Sequence, residues 1–371
     1  MKYYIIAGEA SGDLHASNLM KALRSEDPTA VFRCWGGDLM QEAGGEVVKH
    51  YRDLAFMGFA EVALNFRTIM RNFRFCERDM LGWKPDVVIL VDYPGFNLRM
   101  AKFASLHGLR VFYYISPQLW AWRSSRVKVI RKYVERMFVI LPFEKAFYEK
   151  HGIRVDFVGH PLPDAISAEH HGNGGAFRTK NGLPAKPLIA LLPGSRKQEI
   201  SIILRIMLQV IPKFNDYRFV IAAAPSIPPG FYENITRGYD VSIVTGQTHD
   251  LLRSAEAALV TSGTATLETA LFGVPEVVCY KGSTVSYWIA RQVVHVKFIS
   301  LVNLIMDREV VKELIQHDLN PSNLVRELSA ILDPGNRDRI GKEYAELSGK
   351  LGGQGASART ARLMVQYLQV K

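Results

Sequence analysis

The sequence has few cysteines and no long apolar run. Three of its 371 residues are cysteines, and no two of them form a C-x-x-C motif. A cysteine-rich zinc module and a disulfide scaffold are therefore excluded, and a reducing, cytoplasmic environment is expected. No apolar run approaches the ~18 residues of a membrane span. Glu9 and Asp13 follow the short N-terminal run at once, so no signal peptide is expected either.

Several common catalytic and metal-binding patterns are also missing. The sequence has neither a Walker A motif nor G-x-S-x-G, which argues against a P-loop ATPase and a serine hydrolase. Its 10 histidines form no H-x-x-x-H pair, and no D-x-D triplet supplies the acidic cradle of a metal-bound nucleotide sugar. We therefore expect no metal and no cofactor.

Positive charge exceeds negative charge. Lysine and arginine together number 46, aspartate and glutamate 36, and the formal net charge is +10. A basic chain attracts anions, and the candidates are nucleic acid, phosphorylated small molecules and an anionic membrane surface. With 48% hydrophobic residues the chain is expected to fold, and its length suits two domains better than one.

Short apolar runs alternate with helical patterns along most of the chain. Such strands, nearly continuous in apolar residues and separated by helices, are typical of parallel sheets covered on both faces. The predicted strands are Lys2–Ala7, Val87–Asp92, Val111–Ile115, Met137–Leu141, Leu188–Leu192, Arg218–Ala222, Ala257–Val260 and Glu276–Cys279. The pattern predicts an α/β protein with two Rossmann-like, doubly wound domains.

Proline and glycine mark the boundary between the two halves. They are dense between Val158 and Pro187, and the strand pattern restarts at Leu188. We therefore expect an N-terminal domain over 1–165, a linker over 166–187, a C-terminal domain over 188–335 and a helical tail over 336–371. Ligands are expected at the carboxyl ends of the strands.

Two loops of the first half carry polar residues directly after a predicted strand. Gly8-Glu9-Ala10-Ser11-Gly12-Asp13 opens a helix expected to run from about Asp13 to Arg24, with Ser11 or Asp13 as its cap. The N–H groups of this loop can hold polar or anionic groups, although its acidic residues disfavour a dinucleotide. Asp92 ends an apolar strand, where it either accepts a proton from a hydroxyl nucleophile or caps the following turn.

Two loops of the second half are typical of phosphate sites. Gly194-Ser195-Arg196 leaves a strand and enters a helix, and the guanidinium of Arg196 suits a phosphate. Ser262-Gly263-Thr264 lies at another helix N-terminus, and Glu268 follows about one turn later. That carboxylate can accept two hydrogen bonds from a ribose. The structural alternatives are an exposed basic helix start and a capping box.

A helix predicted over Phe56–Met80 has a cationic face. Arg67, Arg71, Arg74 and Arg78 recur at helical spacing, with aromatic residues and methionines on the other side. This pattern suits acidic lipid headgroups. The alternative is an ordinary crossover helix with a solvated charged face.

Eight sequence blocks occur in an order that resembles one enzyme family. The blocks are Gly8-Glu9-x-Ser11-Gly12-Asp13, Met57-Gly58-Phe59-x-Glu61-Val62, Lys84-Pro85-Asp86-Val87, Ser116-Pro117-x-x-Trp120-Ala121-Trp122-Arg123, Leu141–Tyr148, Leu192-Pro193-Gly194-Ser195-Arg196, Ser262-Gly263-Thr264-Ala265 and Leu301-x-Asn303-Leu304. Together they resemble lipid-A-disaccharide synthase, a family of GT-B glycosyltransferases. The resemblance implies two Rossmann-like domains that face each other across a cleft containing the active site.

The resemblance also implies a reaction. An inverting, metal-independent transfer would move the sugar of UDP-2,3-diacylglucosamine to the 6-hydroxyl of 2,3-diacylglucosamine 1-phosphate. The products would be UDP and a β-1,6-linked disaccharide, the lipid A precursor. Because both substrates are anionic and acylated, we expect peripheral attachment to the cytoplasmic face of the inner membrane. Arg67, Arg71, Arg74 and Phe73 are the expected membrane contacts.

Catalytic roles follow for residues that match the family's motifs in the first half. Asp92 matches an aspartate proposed as the general base on the acceptor hydroxyl. Glu9 and Ser11 match first-loop residues that the family needs, and we expect them near the sugars. Gly95 replaces a second acidic residue of many members, which favours Asp92 as the base.

Substrate-binding roles follow in the second half. Arg196, with Gly194 and Ser195, matches the arginine at the nucleotide phosphates. Glu268 matches the ribose-binding glutamate, near Ser262, Gly263 and Thr264. Asn303 matches a further polar position in the cleft.

Some alternatives stay open at this point. The tail after about residue 335 matches the family's sequence pattern only weakly. The resemblance implies that it packs on the first domain or on a partner subunit, and the second arrangement would be a homodimer. A rival of the same fold is another enzyme that uses UDP-N-acetylglucosamine, either an epimerase or a cell-wall glycosyltransferase. A rival of a different class is a basic nucleic-acid-binding module, but no nucleic-acid fold is recognised and no such partner is expected.

Overall fold

The chain folds into two compact α/β units. The computed structural model describes residues 1–54, 66–120, 126–168, 174–282 and 296–370. The first unit consists of Met1–Asp164 and the C-terminal segment that begins at Leu351, and the second consists of Ala165–Lys350. Both units contain a parallel sheet, which confirms the predicted fold class.

The sheet of the first unit reverses its winding direction between two central strands. Within the described residues its strands are β1 (Lys2–Ala7), β2 (Val31–Gly36), β3 (Glu46–His50), β4 (Val87–Val91), β5 (Val111–Tyr114), β6 (Arg136–Val139) and β7 (Asp156–Phe157). Their spatial order is β3-β2-β1-β4-β5-β6-β7. Since β1 pairs with both β2 and β4, the loops after β1 and β4 meet where ligands of doubly wound sheets bind.

The second unit repeats this arrangement. Its strands, within the described part of the chain, are β8 (Leu188–Leu192), β9 (Arg218–Ala223), β10 (Val241–Thr245), β11 (Ala255–Thr261), β12 (Glu276–Tyr280) and β13 (Lys312–Ile315). They lie in the order β10-β9-β8-β11-β12-β13, so the reversal falls between β8 and β11. The loops after these two strands are the expected ligand site.

Helices cover both faces of each sheet. In chain order they are α1 (Ala10–Glu26), α2 (Asp38–Glu42), α3 (Phe66–Trp83), α4 (Pro94–Leu106), α5 (Val127–Tyr133), α6 (Pro142–Glu149), α7 (Leu162–Ala168), α8 (Gly174–Lys180), α9 (Lys197–Leu208), α10 (Pro229–Thr236), α11 (Thr248–Ser254), α12 (Thr264–Leu271), α13 (Leu301–Met306), α14 (Pro321–Leu332), α15 (Pro334–Lys350) and α16 (Ala356–Gln369). Because helices bury both faces, central strands such as β4 and β8 are apolar at every position and fully buried.

The predicted strands are all present, and their ends move by at most two residues. In the part of the chain that the structure describes, five further strands, β2, β3, β7, β10 and β13, were not predicted. Four of them lie at sheet edges, and β2 carries Arg33, so none has a continuous apolar run. Arg33 is accommodated because its guanidinium pairs with the carboxylates of Asp79 and Glu46.

The predicted linker and tail take part in the two units. The range 166–187 includes α8, whose Phe177 is buried in the core of the second unit, and Asn181 after it exchanges hydrogen bonds with Gln247. The predicted tail is divided: α15 belongs to the second unit, whereas α16 packs against α1 of the first. Within the described residues, no helix is long and apolar enough to cross a bilayer.

Candidate active site

Asp92 occupies a strained position at the carboxyl end of β4. It and the next residue, Tyr93, have φ angles of 45° and 48°, the left-handed region that costs a residue with a side chain about 1–2 kcal/mol. Strain of this kind persists only where surrounding contacts hold it, and it is common at functional sites. The Asp92 side chain is half-buried. Burial and the nearby negative charge of Glu9 raise its pKa to about 6.

The loop after β1 brings Glu9 next to Asp92. Gly8 is required here because a Cβ at this position would lie 2.2 Å from the ring of Tyr93. The close approach of that ring to the Gly8 backbone joins the two loops. Glu9 and Ser11 are both exposed beyond the sheet edge. The structure therefore brings together Glu9 and Asp92, with Ser11 two residues after Glu9 in the first turn of α1.

Asp13 does not cap α1 as the sequence suggested. The helix begins at Ala10, and its N-cap residue Glu9 makes no side-chain capping bond. The Asp13 carboxylate is buried and instead accepts backbone N–H groups of Gly37 at 2.7 Å and of Leu39 and Met40 at 3.1 Å. It thereby joins the helix that carries the first loop to the start of α2.

The carboxylate of Glu199 closes the turn that follows β8. Gly194 has a φ of 105°, and a Cβ there would lie 2.1 Å from Oε2 of Glu199. The backbone N–H groups of Ser195 and Arg196 donate to that carboxylate, whose pKa is raised by burial. The side chains of Ser195 and Arg196 are exposed. The turn therefore keeps a fixed shape while the guanidinium of Arg196 stays in solvent.

Six of the predicted residues of the second unit line one cavity. A space of about 330 Å³ lies at the carboxyl ends of β8 and β11, where the winding reverses. Its lining includes the predicted residues Gly194, Ser195, Ser262, Gly263, Thr264 and Glu268. Ser262 is held in place because its hydroxyl donates to the carbonyl of Ile299 at 2.9 Å. Thr248 and Glu268 also line an adjoining space of about 470 Å³, and Arg196 lines neither.

Asn303 has a structural environment. It is fully buried, its amide donates to the carbonyl of Val311 at 2.8 Å and to the carboxylate of Glu313 at 2.9 Å, and its Oδ1 accepts N–H groups of Val310 and Val311. Every polar position of the side chain is thus used within the chain. Asn303 lies outside the lining of the cavity, and the structure does not bring it together with the other predicted substrate contacts.

The cationic helix face is exposed, but one predicted lipid contact on this helix is not. Arg67, Arg71 and Arg74 are exposed, and they line a surface groove of about 780 Å³. Phe73, expected to contact lipid, is only 7% exposed, because its ring stacks on Phe96 at 4.6 Å. The assignment of Phe73 was therefore wrong: it is a core residue. Residues 56–65, the start of the predicted helix, lie outside the described residues.

Several residues that shape the site were not identified from the sequence. Tyr113 and Asn97 are fully buried and donate hydrogen bonds to the carbonyl of Asp92. Glu199 closes the turn after β8, and Thr261, 4% exposed, lies in the cavity lining. Their partners are distant in sequence or are backbone atoms. The one signal that could have identified Glu199 is its place at the third position of a helix, where a glutamate often binds the backbone of the N-cap.

The fold is that of GT-B enzymes. A UDP-N-acetylglucosamine 2-epimerase from Neisseria meningitidis, solved with UDP-N-acetylglucosamine, superposes with a TM-score of 0.70 at 13% identity over 99% of this chain and 100% of that one. The glycosyltransferase of kitacinnamycin superposes with a TM-score of 0.67 at 14% identity over 99% of both chains. At these identities the likeness concerns the fold alone.

Sequence comparison narrows the family. The family model described as lipid-A-disaccharide synthetase matches residues 3–366. The lipid-A-disaccharide synthase of Syntrophus aciditrophicus is 40% identical over 98% of this chain and 97% of its own length, and that of Geobacter sulfurreducens is 37% identical over 98% and 96%. With a match over nearly its whole length, this chain belongs to the lipid-A-disaccharide synthase family of glycosyltransferases.

Proposed function

We propose that this glycosyltransferase joins UDP-2,3-diacylglucosamine to the 6-hydroxyl of 2,3-diacylglucosamine 1-phosphate, with inversion at the sugar carbon. Family membership supports synthesis of a lipid A disaccharide, and the Asp92 loop supports the mechanism. The observation that carries the proposal is a carboxylate held beyond the sheet at the winding reversal, with a pKa of about 6. A base of this pKa is mostly ionised near neutral pH and still binds a proton well.

Asp92 acts as the general base of a single displacement. As the acceptor oxygen attacks the anomeric carbon, its proton passes to the Asp92 carboxylate. The bond between that carbon and the UDP oxygen breaks on the opposite face, and UDP leaves with the electron pair. Glu9 contributes by its charge, since it helps to raise the pKa of Asp92. Ser11, exposed in the first turn of α1, is a candidate contact for the sugar hydroxyls.

The second unit holds the UDP group. Glu268 accepts the ribose hydroxyls, and the N-terminus of α12, with Ser262, Gly263 and Thr264, faces the diphosphate. Arg196 adds its guanidinium, which stabilises negative charge on the departing UDP. The cavity at the ends of β8 and β11 supports the assignment of Glu268, Ser262, Gly263 and Thr264, because all four residues line it. Arg196 lies outside this lining and is assigned from its place next to Ser195.

Asn303 has a positioning role in this scheme. Through Val310, Val311 and Glu313 it fixes the chain between α13 and β13. Glu313 in turn binds the backbone of Ile299, whose carbonyl holds the hydroxyl of Ser262. Asn303 therefore acts on the donor site through two intermediates and does not touch the substrate.

The exposed arginine face of α3 brings the enzyme to anionic, acylated substrates at the cytoplasmic face of the inner membrane. In a parallel unit the helix before β4 runs antiparallel to the strands. The N-terminal end of α3, with Arg67 and Met70, therefore lies at the same sheet edge as Asp92. Arg99 of α4 is exposed beside them and contacts the sulfur of Met70 at 3.7 Å. Such a surface suits phosphate headgroups with apolar chains.

The test uses the purified chain and both acylated sugars. Release of UDP together with a β-1,6-linked disaccharide is expected, and UDP-N-acetylglucosamine, without acyl chains, should be a poor donor. Asp92→Asn should abolish transfer and leave UDP affinity unchanged, whereas Asp216→Asn, at an exposed turn, should alter neither. Full transfer by the Asp92→Asn enzyme would contradict the base assignment. Epimerisation of UDP-N-acetylglucosamine without disaccharide would contradict the proposed reaction.

A further inference from the structure

The strained backbone of Asp92 is held by two buried side chains. The hydroxyl of Tyr113 donates to the carbonyl of Asp92 at 2.6 Å, and the amide of Asn97 donates to the same oxygen at 2.7 Å. Tyr113 and Asn97 are both fully buried, on β5 and in the first turn of α4. This carbonyl follows the last ladder bond of the strand, in which the N–H of Asp92 donates to Tyr114.

Asn97 also fixes the surroundings of that carbonyl. Its amide nitrogen lies 3.2 Å from the carbonyl oxygen of Val91 and 3.3 Å from that of Ile6. Val91 ends β4 and Ile6 lies near the end of β1, so both precede the loops that carry Asp92 and Glu9. Its backbone N–H donates to the carbonyl of Tyr93 at 3.0 Å. The buried side chain of Asn97 therefore connects the ends of β1 and β4 to the strained residues Asp92 and Tyr93.

When both the N–H and the carbonyl of a residue are held by hydrogen bonds, its φ, its ψ and the direction of its Cα–Cβ bond are fixed together, and this is the case at Asp92. With its carbonyl drawn into the sheet by two donors, Asp92 keeps a left-handed φ, and its carboxyl group stays next to Glu9. If the carbonyl were released, the residue would relax toward an ordinary φ, and the carboxyl would move relative to the acceptor hydroxyl. Displacements of about 1 Å can cost a hundredfold in rate.

We propose that Tyr113 and Asn97 are positioning residues for sugar transfer, which hold the Asp92 carbonyl and thereby aim its carboxylate. The inference rests on the proposed role of Asp92 as the base and deepens it. Tyr113 suits the task because it stays a donor at all working pH values: burial raises its pKa well above the ordinary value. Neither residue touches substrate, and both act through Asp92.

The chain supplies a matched control on the same strand. Tyr113 and Tyr114 are adjacent, fully buried tyrosines whose side chains point to opposite faces of the sheet. The side chain of Tyr114 lies near Ser357 and Thr360 of α16, and Tyr114 contacts Asp92 only through its backbone carbonyl, which the substitution keeps. Replacement by phenylalanine removes one hydroxyl in each case and keeps the ring.

The experiment compares Tyr113→Phe with Tyr114→Phe in the full chain, with UDP-2,3-diacylglucosamine as donor. Tyr113→Phe should lower kcat by about 10- to 100-fold and leave the donor KM unchanged. The acid limb of its pH profile should move below pH 6, because a more exposed Asp92 approaches the ordinary pKa. Tyr114→Phe should keep kcat and the acid limb. Asn97→Ser should lower kcat and move the acid limb in the same direction as Tyr113→Phe. The comparison of Tyr113→Phe with Tyr114→Phe decides whether Tyr113 has a positioning role.

A double variant separates this inference from the proposed base. If Tyr113 acts through Asp92, then Tyr113→Phe combined with Asp92→Asn should be no slower than Asp92→Asn alone. Full activity of Asp92→Asn refutes the base itself. An inactive Asp92→Asn beside an unaltered Tyr113→Phe refutes only the positioning role. An equal loss of kcat in Tyr114→Phe also refutes the positioning role, because it would indicate a general effect on packing.

Discussion

Glu276 should make the second unit less stable as the pH rises. This residue begins β12, its side chain is fully buried, and neither carboxyl oxygen has a hydrogen-bond partner among the described residues. Burial, together with the charge of Glu313, raises its pKa well above 4.5. The folded state therefore holds a proton that the unfolded state releases above its ordinary pKa.

The magnitude follows from proton linkage. Between the ordinary pKa and the raised one, the folded state binds one more proton than the unfolded state, so stability falls by about 1.4 kcal/mol for each pH unit. The slope begins above the ordinary pKa and ends where the pH reaches the raised one. The contribution of Glu276 is greatest at low pH and is lost as the pH rises. Glu276→Gln has no proton to lose and should remove this slope.

The assay is urea unfolding of the wild type and of Glu276→Gln at pH 5.5, 6.5 and 7.5. Hydrogen exchange of peptides that cover β12 assigns the effect to the second unit. The free energy of unfolding of the variant relative to wild type should rise with pH, by at most about 1.4 kcal/mol per pH unit. Glu233→Gln, at an exposed position of the same unit, should run parallel to wild type. Equal slopes for wild type and Glu276→Gln would refute the reasoning.

Three further outcomes are expected. Glu9→Gln should move the acid limb of the pH profile of kcat/KM to lower pH, because it removes one of the two causes that raise the pKa of Asp92; an unmoved limb contradicts the coupling. Glu268→Ala should weaken UDP binding about tenfold or more in calorimetry, since two hydrogen bonds to a charged group are lost; wild-type affinity contradicts the ribose role. Arg67→Glu with Arg71→Glu should reduce sedimentation with vesicles containing anionic lipid and spare turnover of detergent-dispersed substrate; unchanged sedimentation at low salt contradicts the membrane surface.

The fold class was predictable because central strands of a covered parallel sheet have no exposed face. Leu188–Leu192 is apolar at every position, and its limits in the structure are those predicted. The strands that were missed have solvent on one side or pair their charges inside the fold. From the sequence alone, Arg33 of β2 suggests a loop, because its partner Asp79 lies on α3 and is distant in sequence. Information of this kind depends on contacts that a single sequence does not display.

The same limit applies to the site. Residues in strand-end loops, such as Asp92 and Glu268, follow from the rule that places ligands at those ends. Tyr113, inside an apolar strand, cannot be distinguished by pattern from Tyr114 beside it, yet only the first bonds the Asp92 carbonyl. Phe73 was expected to contact lipid as one of the aromatic residues that accompany the arginines on this helix, on its other side. Its packing against Phe96 buries it, and that contact is not visible in the sequence.

The return of α16 to the first unit has a consequence for the order of folding. Met364 and Ala361 of this helix are fully buried, and Arg359 donates to the carbonyl of Val158 at 2.9 Å. During synthesis these residues leave the ribosome only after the whole second unit, Ala165–Lys350, has emerged. The part of the first unit that is made first must therefore wait, with an uncovered face on α1, until α16 has been made. All residues of the second unit are available before the first unit is complete. The second unit can therefore fold before the first, which reverses the usual order of domain folding during synthesis.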